Sequence, residues 1–119
     1  MAGLTRIPWW RWIPLPWRRW GIVLLVDAAD EVPARLPQAG TVLVGAASRP
    51  SWVAFDCPCG RGHRVMLNLD RRRQPYWLVK QARPLTLSPS VDDLTAGNRC
   101  HYWVQRGRVM WVRHDRDEK

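Results

Sequence analysis

Lysine is almost absent: Lys80 and Lys119 are the only two, and arginine carries nearly all of the positive charge. The planar arginine fork suits carboxylate and phosphate contacts and stacks on indoles, so arginine–tryptophan pairing is expected over much of the surface. Cysteine is scarce as well. Cys57, Cys59 and Cys100 cannot close a disulfide framework without leaving one over, which points to a reducing, cytoplasmic setting. Long apolar runs are missing too. The longest near the front, Trp20 to Val26, is far short of the roughly 20 residues a spanning helix needs. It is also short for the apolar core of a secretory leader, so an uncleaved front without a membrane span is expected. There is no internal repeat, no heptad pattern and no recognised nucleic-acid motif.

What is present fits one small domain. The 119 residues include 46% apolar side chains, enough for a single core and too few residues for two. A formal charge of +9 favours acidic partners, whether an acidic protein face, anionic lipid or nucleic acid. Residues 1–20 stand apart as an arm in which Trp9, Trp10, Trp12, Trp17 and Trp20 alternate with Arg6, Arg11, Arg18 and Arg19. Pro8, Pro14 and Pro16 disfavour regular helix there. Such a stretch suits either an arm laid over the domain or peripheral contact with a membrane interface, where indoles sit at headgroup level and arginines meet anionic lipid.

Residues 21–113 read as a mostly β domain of short antiparallel strands, followed by a charged tail at 114–119. Gly21–Val26 and Thr41–Gly45 are β-branched apolar runs separated by Pro33, Pro37 and Gly40, with a brief helical turn expected around Asp27–Arg35. Ser51–Asp56 alternates, placing Val53 and Phe55 on one face and Trp52 and Ala54 on the other; His63–Leu69 groups Val65, Leu67 and Leu69. Tyr76–Lys80, Leu85–Leu87 and Cys100–Gln105 are further strands, and Gly107 supplies the permissive backbone of a hairpin between Val104 and Val109. Trp52, Trp77, Trp103 and Trp111 fall in these apolar patterns and are expected to pack in the core. Arg71-Arg72-Arg73 reads as a solvated loop.

Two constellations carry chemistry. Cys57-Pro58-Cys59-Gly60-Arg61-Gly62-His63, with Cys100-His101 some forty residues later, offers the thiolate and imidazole ligands that zinc prefers on a loop whose glycines let it fold round an ion. Cys57 and Cys59 are the first candidates, with Cys100 or one of His63 and His101 completing the shell; the plain alternative is that Cys57 and Cys100 are small buried hydrophobes. The second is Leu85 to Asp93. Ser88 and Ser90 offer hydroxyls at a proline-stiffened turn, and Asp92 and Asp93 offer carboxylates. With His101 these furnish a nucleophile, a base and an orienting acid. Otherwise Ser90, Asp92 and Asp93 are a turn or helix cap.

Three segments in order, Phe55–Leu69, Leu85–Val91 and His101–Trp111, resemble a family of small bacterial proteins encoded beside ubiquitin-like modifiers and their activating and conjugating enzymes. The resemblance spans roughly residues 50–112. The family's first motif is similar to a cysteine, a spacer, Cys-Gly-Cys-Gly and then His or Asn, and Cys57, Cys59, Gly60, Gly62 and His63 match it. Arg61 stands at a usual cysteine. In the third motif, similar to Cys-X-Ser-His-aromatic-aromatic, His101 matches, Asn98 replaces the cysteine and Cys100 occupies the serine position. The resemblance implies an accessory peptidase that cuts after the modifier's C-terminal glycine or releases the modifier from a target, with Ser90 as nucleophile, His101 as base and Asp92 or Asp93 as orienter. Partners would be the modifier or its conjugation enzymes. Zinc would be held by Cys57, Cys59, His63 and a displaced Cys100 if the chain bulges there; otherwise Arg61 sits comfortably in a metal-free fold. The alternative class is a non-catalytic, zinc-knuckle-like module that binds nucleic acid or a partner protein.

Overall fold

The computed structural model describes residues 6–46, 48–93 and 99–112. Asn98, the first five residues of the arm and the tail 114–119 lie outside them. β1 (Gly21–Val26), β2 (Gly40–Ala46), β3 (Arg49–Asp56) and β4 (Arg64–Asn68) form one sheet in that order. β5 (Leu78–Ala82) pairs with β6 (Leu85–Ser88), and β7 (Val91–Asp93), β8 (Cys100–Gln105) and β9 (Arg108–Trp111) form a third sheet. The mostly β, antiparallel architecture is thus as expected, with one exception. β1 and β2 run parallel. A parallel pair needs a long crossover, and residues 27–39, with their 3-10 turn at Ala29–Glu31, supply it.

The crossover explains why both faces of the first sheet are apolar. Val53 and Phe55 face a core shared with Leu85, Leu87, Val91, Tyr102 and Val104 of the two smaller sheets. Ala54 and Trp52 face the other way, into a cluster of Val23, Leu24, Val42 and Val44 roofed by Val32 and Leu36 of the crossover and by Ile7 of the arm. The arm is itself folded. Trp9–Trp12 makes one 3-10 turn, Arg11 is 8% exposed and donates to the Ala39 carbonyl at 3.0 Å, and Leu15 and Gln38 exchange two hydrogen bonds of 2.7 and 2.8 Å. Trp20 ends the arm edge-on to Phe55, ring centroids 5.6 Å apart.

Of the four tryptophans expected in the core, Trp52 and Trp77 pack there and two do not: Trp103 is 37% and Trp111 49% exposed. The cause is parity. In β8 the buried residues are Cys100, Tyr102 and Val104, so Trp103 points out, opposite Met110 of β9. Trp111 lies at the sheet edge with its ring tilted against Tyr102, centroids 5.1 Å apart. The Arg71–Arg73 run is exposed, Arg72 pairing with Asp70 at 3.0 Å.

Three distant segments are tied by a ring of backbone bonds. Trp20 N–H donates to Gly107 O at 2.8 Å, Gly107 N–H to Leu85 O at 2.7 Å, and Leu85 N–H to Trp20 O at 2.8 Å. Gly107 and Arg106 both have positive φ, at 79° and 51°, as a two-residue hairpin turn demands. A Cβ at Gly107 would lie 2.7 Å from Arg19 Cβ and 2.9 Å from Pro84 Cβ. Gly107→Ala is therefore expected to cost about 2–3 kcal/mol, the sum of left-handed backbone strain and displaced neighbours. Urea unfolding measures it; a change under about 0.5 kcal/mol would show the turn free to relax.

Candidate functional site

β7 and β8 carry two sets of chemical side chains on opposite faces. Their register pairs Val91 with Tyr102, Asp92 with His101 and Asp93 with Cys100. Alternation then sends Val91, Asp93, Cys100 and Tyr102 inward, and Asp92, His101 and Trp103 outward.

On the inner side Cys100 meets the β3–β4 loop. That loop is closed by Cys57 N–H donating to His63 O at 3.0 Å, while Asp56 and Arg64 join across its base at 2.8 Å. Gly60 and Gly62, both at φ 80°, let it curl so that Cys57, Cys59 and His63 converge. The donor atoms of Cys57, Cys59, His63 and Cys100 all lie within 4.8 Å of one another, a group able to hold a metal ion. These are the four residues the sequence offered as candidate ligands, and Cys100 reaches the cluster because it begins β8.

The donor set fits zinc. Ligands at about 2.0–2.3 Å from a tetrahedral ion stand roughly 3.5–3.8 Å apart, so a slight inward movement of these four side chains closes the shell. His63 turns Nε2 toward the sulfurs, 3.2 Å from Cys59 Sγ and 3.9 Å from Cys100 Sγ. Its buried Nδ1 stands 3.2 Å from Asp93 Oδ2, at ion-pair distance though off the hydrogen-bonding direction. A carboxylate behind a ligand imidazole fixes the ring and raises its basicity.

The thiols are differentiated. Burial pushes Cys57 up to about 12, only partly opposed by hydrogen bonds from the Cys59 backbone and the Tyr102 hydroxyl. Cys59 is also raised by desolvation, but the Arg61 backbone N–H and the contacts with Cys57, His63 and Cys100 outweigh this and bring it down to about 6. Arg61 does not point away. Its guanidinium lies 3.5 Å from Cys100 Sγ, where the cation would offset the excess negative charge of three thiolates if they held a divalent ion. Arg61 is thus compatible with a metal, and sequence reading missed that because side-chain reach is not encoded in spacing.

On the outer side Ser90 Oγ lies 2.9 Å from His101 Nε2. Ser88 ends β6 and pairs in register with Leu78, so Ser90 is the serine the fold brings to the histidine. Trp77 Nε1 donates to the Ser90 carbonyl at 3.2 Å and fixes its backbone; nothing in the sequence marked Trp77 for that contact. Val91–Asp93 is a strand rather than the alternative turn or helix cap. Asp92 lies across the pair from His101, its carboxylate forked onto Arg99 at 3.0 and 2.8 Å. Asp93 faces His63 instead.

A serine hydroxyl within hydrogen-bond distance of an imidazole is an arrangement from which the ring can take the hydroxyl proton. The chain belongs to the family described as bacterial ubiquitination-like system serine protease (BubE), whose model matches residues 28–112. The match begins in the β1–β2 crossover, earlier than the resemblance near residue 50, and leaves the arm and β1 outside. No curated protein and no solved structure matches the chain. Among the described residues no helix is long and apolar enough to cross a membrane.

Proposed function

We propose that the protein is a peptidase of its bacterial ubiquitination-like system, cutting the modifier after its C-terminal glycine. The observation that carries this is the 2.9 Å contact between Ser90 Oγ and His101 Nε2 in a chain of that family. Ser90 Oγ bonds to the substrate carbonyl carbon as its proton passes to His101 Nε2. The C–N bond then breaks, the proton goes to the leaving amine, and water releases the glycine carboxylate by the same relay. Asp92 favours the imidazolium that forms, its charge partly offset by Arg99. Cys57, Cys59, His63 and Cys100 would hold a structural zinc, which would cross-link the β3–β4 loop to the start of β8. Ser90→Ala and His101→Ala, assayed on the modifier precursor, test the reading.

A second reading concerns the arm alone. Trp9 and Trp17 are 75% and 79% exposed, and no acidic residue occurs among residues 1–26. We infer peripheral contact with anionic lipid. Trp9→Ser/Trp17→Ser should weaken co-sedimentation with phosphatidylglycerol vesicles by about tenfold, and unchanged binding would refute the contact.

A further inference from the structure

β8 continues outward past the dyad. His101, Trp103 and Gln105 alternate on its solvent face, and Gln105 pairs in register with Arg108. Gln105 lies four residue steps along the strand from His101, about 13 Å. Between them Trp103 lies opposite Met110, an exposed apolar pair. Beyond them opens a groove of about 970 Å³ whose walls include Arg19, Lys80, Arg106 and Arg108 and no acidic side chain.

This groove is built rather than incidental. Arg106 N–H donates to Thr86 Oγ1 at 2.9 Å, and Arg19 Nη1 reaches the Arg106 carbonyl at 3.4 Å. The backbone ring through Gly107 anchors the same corner. Among the described residues none of the four cations pairs with a carboxylate. Like charges gathered round one concavity repel each other, a cost that an acidic occupant removes.

We propose that the groove receives acidic side chains of an extended polypeptide lying along the outer face of β8 and β9, with an apolar residue on Trp103 and Met110. The position of the cut bond relative to those acids, about four residues away, rests on the peptidase reading; the binding does not. A polypeptide fits better than a nucleic acid. Phosphates repeat along a strand and call for cations spread along a track, whereas these cations ring a single pocket at one end of an apolar step.

The test uses the full chain with Ser90→Ala, which binds without turnover. Fluorescence anisotropy follows a labelled peptide with a central glycine and Glu pairs spaced four residues from it, its Gln isostere and an oligothymidine of equal length. The Glu peptide should bind about tenfold more tightly than the Gln form. Adding Lys80→Glu or Arg108→Glu, exposed residues on separate strands, should remove that preference. Equal binding of Glu and Gln peptides, retention of the preference in both reversals, or tighter binding of the oligothymidine overturns the proposal. Cleavage by the Ser90 protein separates the two readings. Charge-selective binding without any cleavage sinks the peptidase and leaves the groove standing, while modifier cleavage untouched by either reversal does the opposite.

Discussion

Ser90→Ala is expected to lower cleavage of the modifier precursor by at least about 1,000-fold, because without the hydroxyl no acyl-enzyme forms and only binding and water attack remain. His101→Ala should cost nearly as much. On the proposed chemistry the two groups, 2.9 Å apart, act as one unit, so the double variant should be no slower than the worse single one. Independent, multiplying losses would mean that they do not share a proton. Ser88→Ala is the internal comparison. Ser88 sits at the end of β6 opposite Leu78, and its replacement should change the rate less than about threefold. If Ser90→Ala cuts at the wild-type rate, the proposed chemistry is wrong.

Cys57→Ser and Cys100→Ser should each lower zinc content from about one ion per chain to near none, since the four-ligand shell does not survive loss of a thiolate from either side. Melting temperature should fall by roughly 10 °C or more, because losing a structural ion removes several kcal/mol and each kcal/mol moves a domain of this size by a few degrees. Asp93→Asn leaves all four ligands in place and should weaken zinc by about 10–100-fold through loss of the carboxylate behind His63. Zinc release on acidification follows with a definite sign: the bound form needs thiolates and a neutral imidazole, so protons compete and affinity drops as pH falls. Wild-type protein free of zinc, with a chelator-insensitive melt, would refute the site. The cysteine variants should also lose cleavage, as Cys100 adjoins His101 on β8 and its release unseats the dyad.

The parts of this molecule visible in its sequence are those governed by local rules. Alternation at Trp52–Phe55 separated the two cores correctly, and Gly107 announced its hairpin. The four metal-ligand candidates and the Ser90–His101 pair could be named, since thiols, imidazoles and hydroxyls are few. Their arrangement could not. Whether Asp92 or Asp93 faces His101 depends on strand parity, and three residues of β7 are too short a run to show alternation. The parallel pairing of β1 and β2 left no trace because both strands are apolar on both faces. Nor did the basic groove, whose Arg19, Lys80 and Arg108 come from segments that meet only in the fold.

The backbone ring joining Trp20, Leu85 and Gly107 has a consequence for how the chain is made. Synthesis runs from the N terminus, yet Trp20 waits for a partner 87 residues later, and Leu85 between them waits for both. Contacts so far apart in sequence make for late, all-or-none assembly. Ser90 and His101 lie on the stretch between the last two anchors of the ring. The Ser90–His101 contact is therefore set only once the hairpin at Gly107 closes.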